Sequence, residues 1–133
     1  MAYSHKNGKY LVCLTKHPNC QVILLDAGRM KPVGQSYVLG PGYNVVKINP
    51  FDMRKISVSG NGNIKLIQEV ENTLKELPDI IHLPKDNFVT HIWFDNHHLV
   101  AANDKGEICI TKNKHFYQKI KKPYNIPNKV YEF

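Results

Sequence analysis

The sequence predicts an all-β protein assembled from β-propeller-type blades, and three observations predict it. Apolar residues alternate with polar ones at a period of two, and helical spacing is nearly absent. Short apolar segments are divided by clusters of Gly, Pro, Asn and Asp, as in chains built of strands and tight turns. Two stretches match at one offset: Ile48 with Ile92, Ile56 with Val100, Gly62 with Gly106 and Ile64 with Ile108, each 44 residues apart. A repeat of about 40–45 residues carrying four strands is the period of a propeller blade. A small β-sandwich or barrel shares the alternation, so the repeat is what favours blades.

Each element follows from local chemistry. Tyr10 to Leu14 reads as a strand, ended by His17-Pro18-Asn19, and Gln21 to Leu25 as a second, ended by Asp26-Ala27-Gly28. A weaker extended piece spans Ser36 to Leu39, bounded by Gly34 and Gly40-Pro41-Gly42. Val46 and Ile48 alternate with Lys47 ahead of a turn at Asn49-Pro50-Phe51-Asp52, and Ile56 and Val58 alternate with Lys55 and Ser57. Gly60-Asn61-Gly62 supplies residues that tolerate positive φ in a hairpin turn. Ile64 and Leu66 open the next strand, and Leu74 to Leu83 is extended, with Pro78 marking it as an outer edge. The pattern recurs with Ile92 and Phe94, a turn at Asp95-Asn96-His97, Val100 and Ala102, a turn at Asn103-Asp104-Lys105-Gly106, then Ile108 and Ile110, then Phe116 to Ile120. Carried backwards, the same shift takes Ile56 and Val58 to Val12 and Leu14, and Leu66 to Val22.

This divides the chain into a first partial blade at 1–42, a second at 43–86, a third at 87–122, and a connector or the start of a next unit at 123–133. The expected fold is therefore WD-repeat-like β-propeller blades forming an incomplete ring of about three units. A blade buries both faces against its neighbours, and closed propellers have at least about four. The end blades are expected to leave apolar faces in water, such as those bearing Val12 and Ile108, and such faces mark interfaces. The chain is accordingly expected to be a segment of a larger protein, or to complete its ring with other protein chains.

The length of 133 residues suits one domain, and 42% hydrophobic with 22% charged residues is ordinary globular composition. Cys13, Cys20 and Cys109 are too few for a disulfide framework and match no Cys-x-x-Cys pattern, so reduced thiols in an intracellular protein are expected. The polar start lacks the apolar core of a secretory signal, the longest aliphatic run (Val22 to Leu25) is far too short to span a bilayer, and lipidation motifs are absent. A soluble, cytoplasmic chain with no membrane partner is the expectation. The net charge of +7 and pI near 9.3 favour acidic partners without choosing among nucleic acid, acidic protein surfaces and anionic lipid.

Candidate chemistry is sparse. His97-His98 with Asp95 and His91 has the residue types of a zinc site, but Asp95 to His98 falls in a strand-to-strand turn, where adjacent side chains point apart. Asp104 with Glu107, and Asp79 with His82, have the residue types of acid/base pairs, yet Asp104 stands where a turn-forming residue is needed. No Gly-x-Ser-x-Gly elbow or Walker-type loop is present, and Gly60-Asn61-Gly62 precedes a strand rather than a phosphate-binding helix N-terminus. Catalytic residues, metal ligands and cofactors are therefore expected to be none. Trp93 and Phe94 are expected in the core. The surface feature that stands out is a basic, aromatic C-terminal strand region carrying Lys112, Lys114, Phe116, Tyr117, Lys119, Lys121 and Lys122. It has three readings: an exposed edge strand protected by lysine, a docking strip for acidic protein surfaces, or a single-stranded nucleic-acid site.

Three segments resemble a known family. Val45-Val46-Lys47-Ile48-Asn49-Pro50-Phe51-Asp52 resembles a "(V/I)-x-F-N-P-x-D" strand and turn. Ser57 through Leu66 is similar to "V-(S/T)-G-N-G-x-x-K-L". Val89-Thr90-His91-Ile92-Trp93, followed by Leu99 through Ile108, is similar to "H-x-W…(V/I)-V-G-T-D-x-G-x-(L/I)", with Ala101-Ala102-Asn103 standing in place of Val-Gly-Thr. These motifs are those of the large cilia- and flagella-associated WD-repeat proteins, and the resemblance covers roughly residues 43–111. It implies a non-enzymatic axonemal scaffold that tethers inner-arm dynein near the doublet microtubule. Axonemal dynein subunits and tubulin are the implied partners, and the cilium or flagellum the implied location. The alternative from another class is a basic β-domain that binds nucleic acid.

Overall fold

The computed structural model describes residues 2–3, 9–16, 19–60, 62–81, 83–113 and 115–120. Among these, every regular element is a strand, and the strands form three antiparallel sheets, each laid down in chain order. The first sheet holds β1 (Ala2–Tyr3), β2 (Tyr10–Thr15), β3 (Gln21–Asp26) and β4 (Lys31–Pro32), with β5 (Tyr37–Val38) also pairing with β3. The second holds β6 (Tyr43–Ile48), β7 (Lys55–Gly60), β8 (Asn63–Val70) and β9 (Thr73–Glu76). The third holds β10 (Phe88–Trp93), β11 (His98–Asn103), β12 (Ile108–Lys112) and β13 (His115–Ile120). The all-β class expected from the alternation is what the chain adopts. The extended stretch expected from Leu74 to Leu83 is strand only as far as Glu76. Beyond it the chain crosses to the third sheet, where Ile81 bridges to His115.

The turn residues act as their chemistry requires. Asn49 Oδ1 accepts the Phe51 N–H at 2.8 Å and Asp52 Oδ1 the Arg54 N–H at 3.1 Å, closing the β6–β7 loop. Asp95 Oδ1 accepts the N–H groups of both His97 and His98 at 2.8 Å between β10 and β11. Asn103 Oδ1 does the same for Lys105 and Glu107 between β11 and β12. Gly62 and Gly106, at matching places in the two hairpins, have φ of +98° and +81°. Glu71 and Asn72, both at positive φ, make the two-residue turn that matches strand twist between β8 and β9.

The sheets are stacked. β6 packs on β1 and β2, and β10 packs on β6 and β7, so the first strand of each later sheet lies on the first two strands of the sheet before it. One core joins Val12, Val22 and Leu24 of the first sheet to Val46, Ile48, Ile56, Val58, Ile67 and Leu74 of the second. Another joins Ile64 and Leu66 of the second sheet to Phe88, Trp93, Leu99, Ala101 and Cys109 of the third. The second sheet is thus covered on both faces, and every residue from Ile56 to Gly60 is buried.

Register corrects the uniform 44-residue match. β6 and β10 begin 45 residues apart, at Tyr43 and Phe88, whereas β7 and β11 begin 43 apart, at Lys55 and His98. The loop between the first two strands is two residues shorter in the third sheet, 94–97 against 49–54, which produces both numbers. The bulge in the first strand follows the strand: it falls between Tyr43 and Val45 in one sheet and between Phe88 and Thr90 in the other. Side chains alternate across a sheet, so a one-residue change exchanges faces. Ile92 and Val100 therefore do not occupy the places of Ile48 and Ile56; Trp93 and Leu99 do, each pair facing the preceding sheet. Gly62 with Gly106 keeps the 44-residue spacing. In the first sheet, β1 pairs with β2 through Ala2↔Val12, as β6 pairs with β7 through Lys47↔Ser57, a shift of 45 in both strands. With this register all three sheets present the same face in the same direction.

Two placements differ from expectation for the same reason. Val12 is fully buried against the second sheet; the outward side chains of the first sheet are Leu11, Cys13, Ile23 and Leu25. Ile108 lies on the outward face of the third sheet, as expected. Trp93 is core, but Phe94 follows the end of β10 and is 73% exposed.

Candidate protein-interaction surface

The basic strand region forms the edge of the third sheet. β13 pairs with β12 through Ile108↔Ile120, Cys109↔Lys119, Ile110↔Gln118, Thr111↔Phe116 and Lys112↔His115, leaving Tyr117 as the extra residue of a bulge. Its other edge is partly taken, because the Phe116 N–H donates to the Ile81 carbonyl at 2.8 Å. Phe116 points inward and packs on the second core beside Leu77 and Leu83. Lys119 is held between two carboxylates, with Nζ 3.2 Å from Asp86 Oδ2 and 3.1 Å from Glu107 Oε1. Hydrogen bonds to Glu107 and then Asp86 raise its pKa; Glu107 is lowered first by its bond from Asn103 and next by Lys119. Lys119 is thus a neutralised strut. Tyr117 is 61% exposed and Lys112 is exposed at the β12–β13 turn, so these two carry the available chemistry of this strip among the described residues. Lys114, Lys121 and Lys122 lie outside the described residues, as do His82, Asn61 and the connector at 123–133.

The other titratable residues singled out in the sequence serve structure. Asp95 binds its own turn and the His98 imidazole, with Nδ1 at 2.8 and 2.9 Å from its two oxygens, and the bond from His98 is the first cause of its lowered pKa. Asp104 accepts from Asn87 at 3.1 Å, and Asp79 pairs with Lys65 at 2.7 Å. His91 is drawn away from this turn into the interface between the second and third sheets. Its Nε2 shares a hydrogen bond of 2.7 Å with Ser57 Oγ and its Nδ1 one of 2.6 Å with Ser59 Oγ. The Trp93 indole N–H donates to the same Ser57 Oγ at 2.9 Å. Both ring nitrogens are satisfied by hydroxyls that can donate or accept, so a neutral imidazole fits in either tautomer. Full burial, with the Lys47 charge nearby as the second cause, lowers its pKa to about 3. It is neutral at physiological pH and shut off from solvent, which suits an internal clamp between sheets.

A second exposed region gathers at the end of the stack that carries the loops between first and second strands. Asn49, fully buried in the β6–β7 loop, donates through Nδ2 to Asn96 Oδ1 in the β10–β11 loop at 3.0 Å and ties the two loops together. These joined loops expose Phe51 and Phe94, at 51% and 73%. Beside them a cleft of about 340 Å³ is lined by Lys9, Tyr10, Leu24, Phe51, Met53, Arg54 and Glu69. Aromatic residues, methionine and arginine, here Tyr10, Phe51, Met53 and Arg54, are the residue types enriched at protein-docking surfaces. Phe51 had a signal in the sequence, an aromatic inside an Asn-Pro-Phe-Asp turn. Phe94 had none, because it continues the apolar run of β10.

No family model and no curated protein matches the chain.

Proposed function

We propose that the chain is a non-enzymatic scaffold of WD-repeat-like propeller blades that works by binding other proteins. The observation that carries this reading is the stacking: three meander sheets packed face on face in one sense, with strand one of each on strands one and two of the last. A stack of this kind offers loops at its ends and strands at its rim for partners. The exposed Phe51 and Phe94 loops, the adjoining cleft, and Lys112 with Tyr117 on the rim are the groups this reading assigns to partner contact. The buried or ion-paired state of His91, Asp95, Glu107 and Lys119 supports a structural rather than a chemical use for them. The partners we propose, axonemal dynein subunits and tubulin in a cilium or flagellum, rest on the motif resemblance over residues 43–111. The nucleic-acid reading is weakened by Lys119, whose charge two carboxylates already meet.

Localisation of a tagged chain in a ciliated cell tests the proposal. The expected result is an axonemal signal that is reduced in a Phe51→Ser/Phe94→Ser double variant with an unchanged β-type circular dichroism spectrum. A nuclear or ribosomal signal would reject it.

A further inference from the structure

We propose that the joint between the second and third sheets is a proton-sensitive gate on the docking surface: acidification parts the third sheet from the second as a unit and separates the Phe51 loop from the Phe94 loop. The inference rests on the partner-binding reading of those loops and adds its regulation.

The two joints of the stack are built differently. Aliphatic side chains fill the first, with Val12, Val22 and Leu24 against Val46, Ile48, Ile56 and Val58. In the second, β10 lies on β6 and β7, and its contact with β7 is polar. His91 stands between two hydroxyls, with Nε2 2.7 Å from Ser57 Oγ and Nδ1 2.6 Å from Ser59 Oγ, and the Trp93 indole shares Ser57. An aliphatic joint is indifferent to pH. A joint that shuts an imidazole from water is not, because imidazole takes a proton near neutrality once it is wet. The groups that face the ring are Lys47 from β6, Ser57 and Ser59 from β7, and Ala101 and Cys109 on its own face of β11 and β12. Among the described residues no carboxylate stands there to meet an imidazolium, and Lys47 repels one. The closed joint therefore excludes the proton.

Continuous ladders hold β10 to β13 together, so the third sheet moves as one body. The crossing chain is tied to the second sheet by the Leu77 N–H on the Leu66 carbonyl and to the third by the Phe116 N–H on the Ile81 carbonyl, both at 2.8 Å, which sets the hinge between Leu77 and Ile81. Opening also breaks the bond from the Gly62 N–H to the Asp86 carbonyl at 3.0 Å. The docking loops straddle the same joint. Phe51 belongs to the second sheet and Phe94 to the third, and Asn49 Nδ2 on Asn96 Oδ1 at 3.0 Å ties their loops. The two aromatics stay side by side only while the joint is shut.

The sign follows from the two states. Closed, His91 has a pKa of about 3; open, it titrates as an ordinary histidine near 6.5. Acid therefore favours the open state, and its equilibrium constant rises about 30-fold from pH 7.5 to pH 5. Asp95 and Glu107, whose pKa values are lowered, stay charged throughout this window.

Cys109 reads the gate, since its side chain is fully buried on the face that meets the second sheet. The purified chain is labelled with a pyridyl disulfide, and the rate at Cys109 is resolved by mass spectrometry. Division by the rate for the urea-unfolded chain at the same pH gives the opening constant. The expected constant exceeds that of global unfolding and rises about 30-fold from pH 7.5 to pH 5. His91→Gln abolishes the rise. Asn96→Ala, which cuts the tie between the loops, raises the constant roughly five-fold and keeps its response to pH. A constant equal to that of global unfolding, a flat response in the wild type, a rise that survives His91→Gln, or no effect of Asn96→Ala would each overturn the gate. The wild-type series and Asn96→Ala decide the matter even where His91→Gln does not fold. The partner-binding reading is judged separately, by localisation of the tagged chain at neutral pH.

Discussion

A serine in a strand that reads Lys-Ile-Ser-Val-Ser-Gly is naturally assigned to a solvated face. Here Ser57 and Ser59 are fully buried, and their hydroxyls hold the two nitrogens of His91. The polar positions of β7 are polar because an imidazole and an indole N–H arrive from the next sheet, which the local sequence does not reveal. His91 was legible as a notable residue by proximity to Asp95 and the His97-His98 pair and as the His of the H-x-W pattern; the structure separates it from Asp95 and the pair and sets it with Trp93 on Ser57. Its neutrality has a consequence for stability. The folded pKa of about 3 lies below the ordinary 6.5, so the unfolded chain takes up the proton first as pH falls. The stabilisation is complete above about pH 6.5 and is lost between there and about 3, at roughly 1.4 kcal/mol per pH unit. Urea unfolding at pH 6.5 and 5 is expected to show the wild type losing about 2 kcal/mol more than His91→Gln. Equal losses would place the imidazole in contact with water. The turn residues were more legible, since Asn49, Asp95 and Asn103 bond their own backbone and need no distant partner.

Strand positions followed from alternation and turn chemistry, and β2, β3, β7, β11 and β13 lie within a residue or two of where those signals place them. Which face each strand buries did not follow. A fixed shift of 44 residues averages over 45 in the first strand and 43 in the second, and each error of one residue turns the face over. Loop length, the quantity responsible, is hidden when matched residues are only apolar. Gly60 shows another signal that needs the fold: a Cβ there would overlap the Gly42 carbonyl, so the glycine permits the bulged first strand to approach. The basic strand β13 divides by register in the same way. Lys119 faces in toward Asp86 and Glu107, and Lys112 faces solvent. Lys119→Met, which leaves two half-buried carboxylates side by side, is expected to cost about 1–2 kcal/mol in thermal or urea unfolding, and Lys112→Met less than about 0.5. Equal effects would mean that Lys119 is an ordinary surface lysine.

At the scale of the molecule, burial grows by repetition. The middle sheet presents one face to the sheet before it and the opposite face to the sheet after it, so its strand β7 is buried from Ile56 to Gly60. Which side chains of the first sheet meet the second was not legible in the sequence: Val12 is covered by it, and Leu11, Cys13, Ile23 and Leu25 point the other way. Everything at this scale, the scaffold reading included, depends on the third sheet turning its His91 face toward β7. Nuclear Overhauser contacts in the labelled chain measure this directly. The account predicts contacts from the His91 and Trp93 rings to the β-protons of Ser57, and from the His91 ring to those of Ser59. Contacts from the Ile92 and Val100 methyls to those serines, with the His91 ring in solvent, would contradict it.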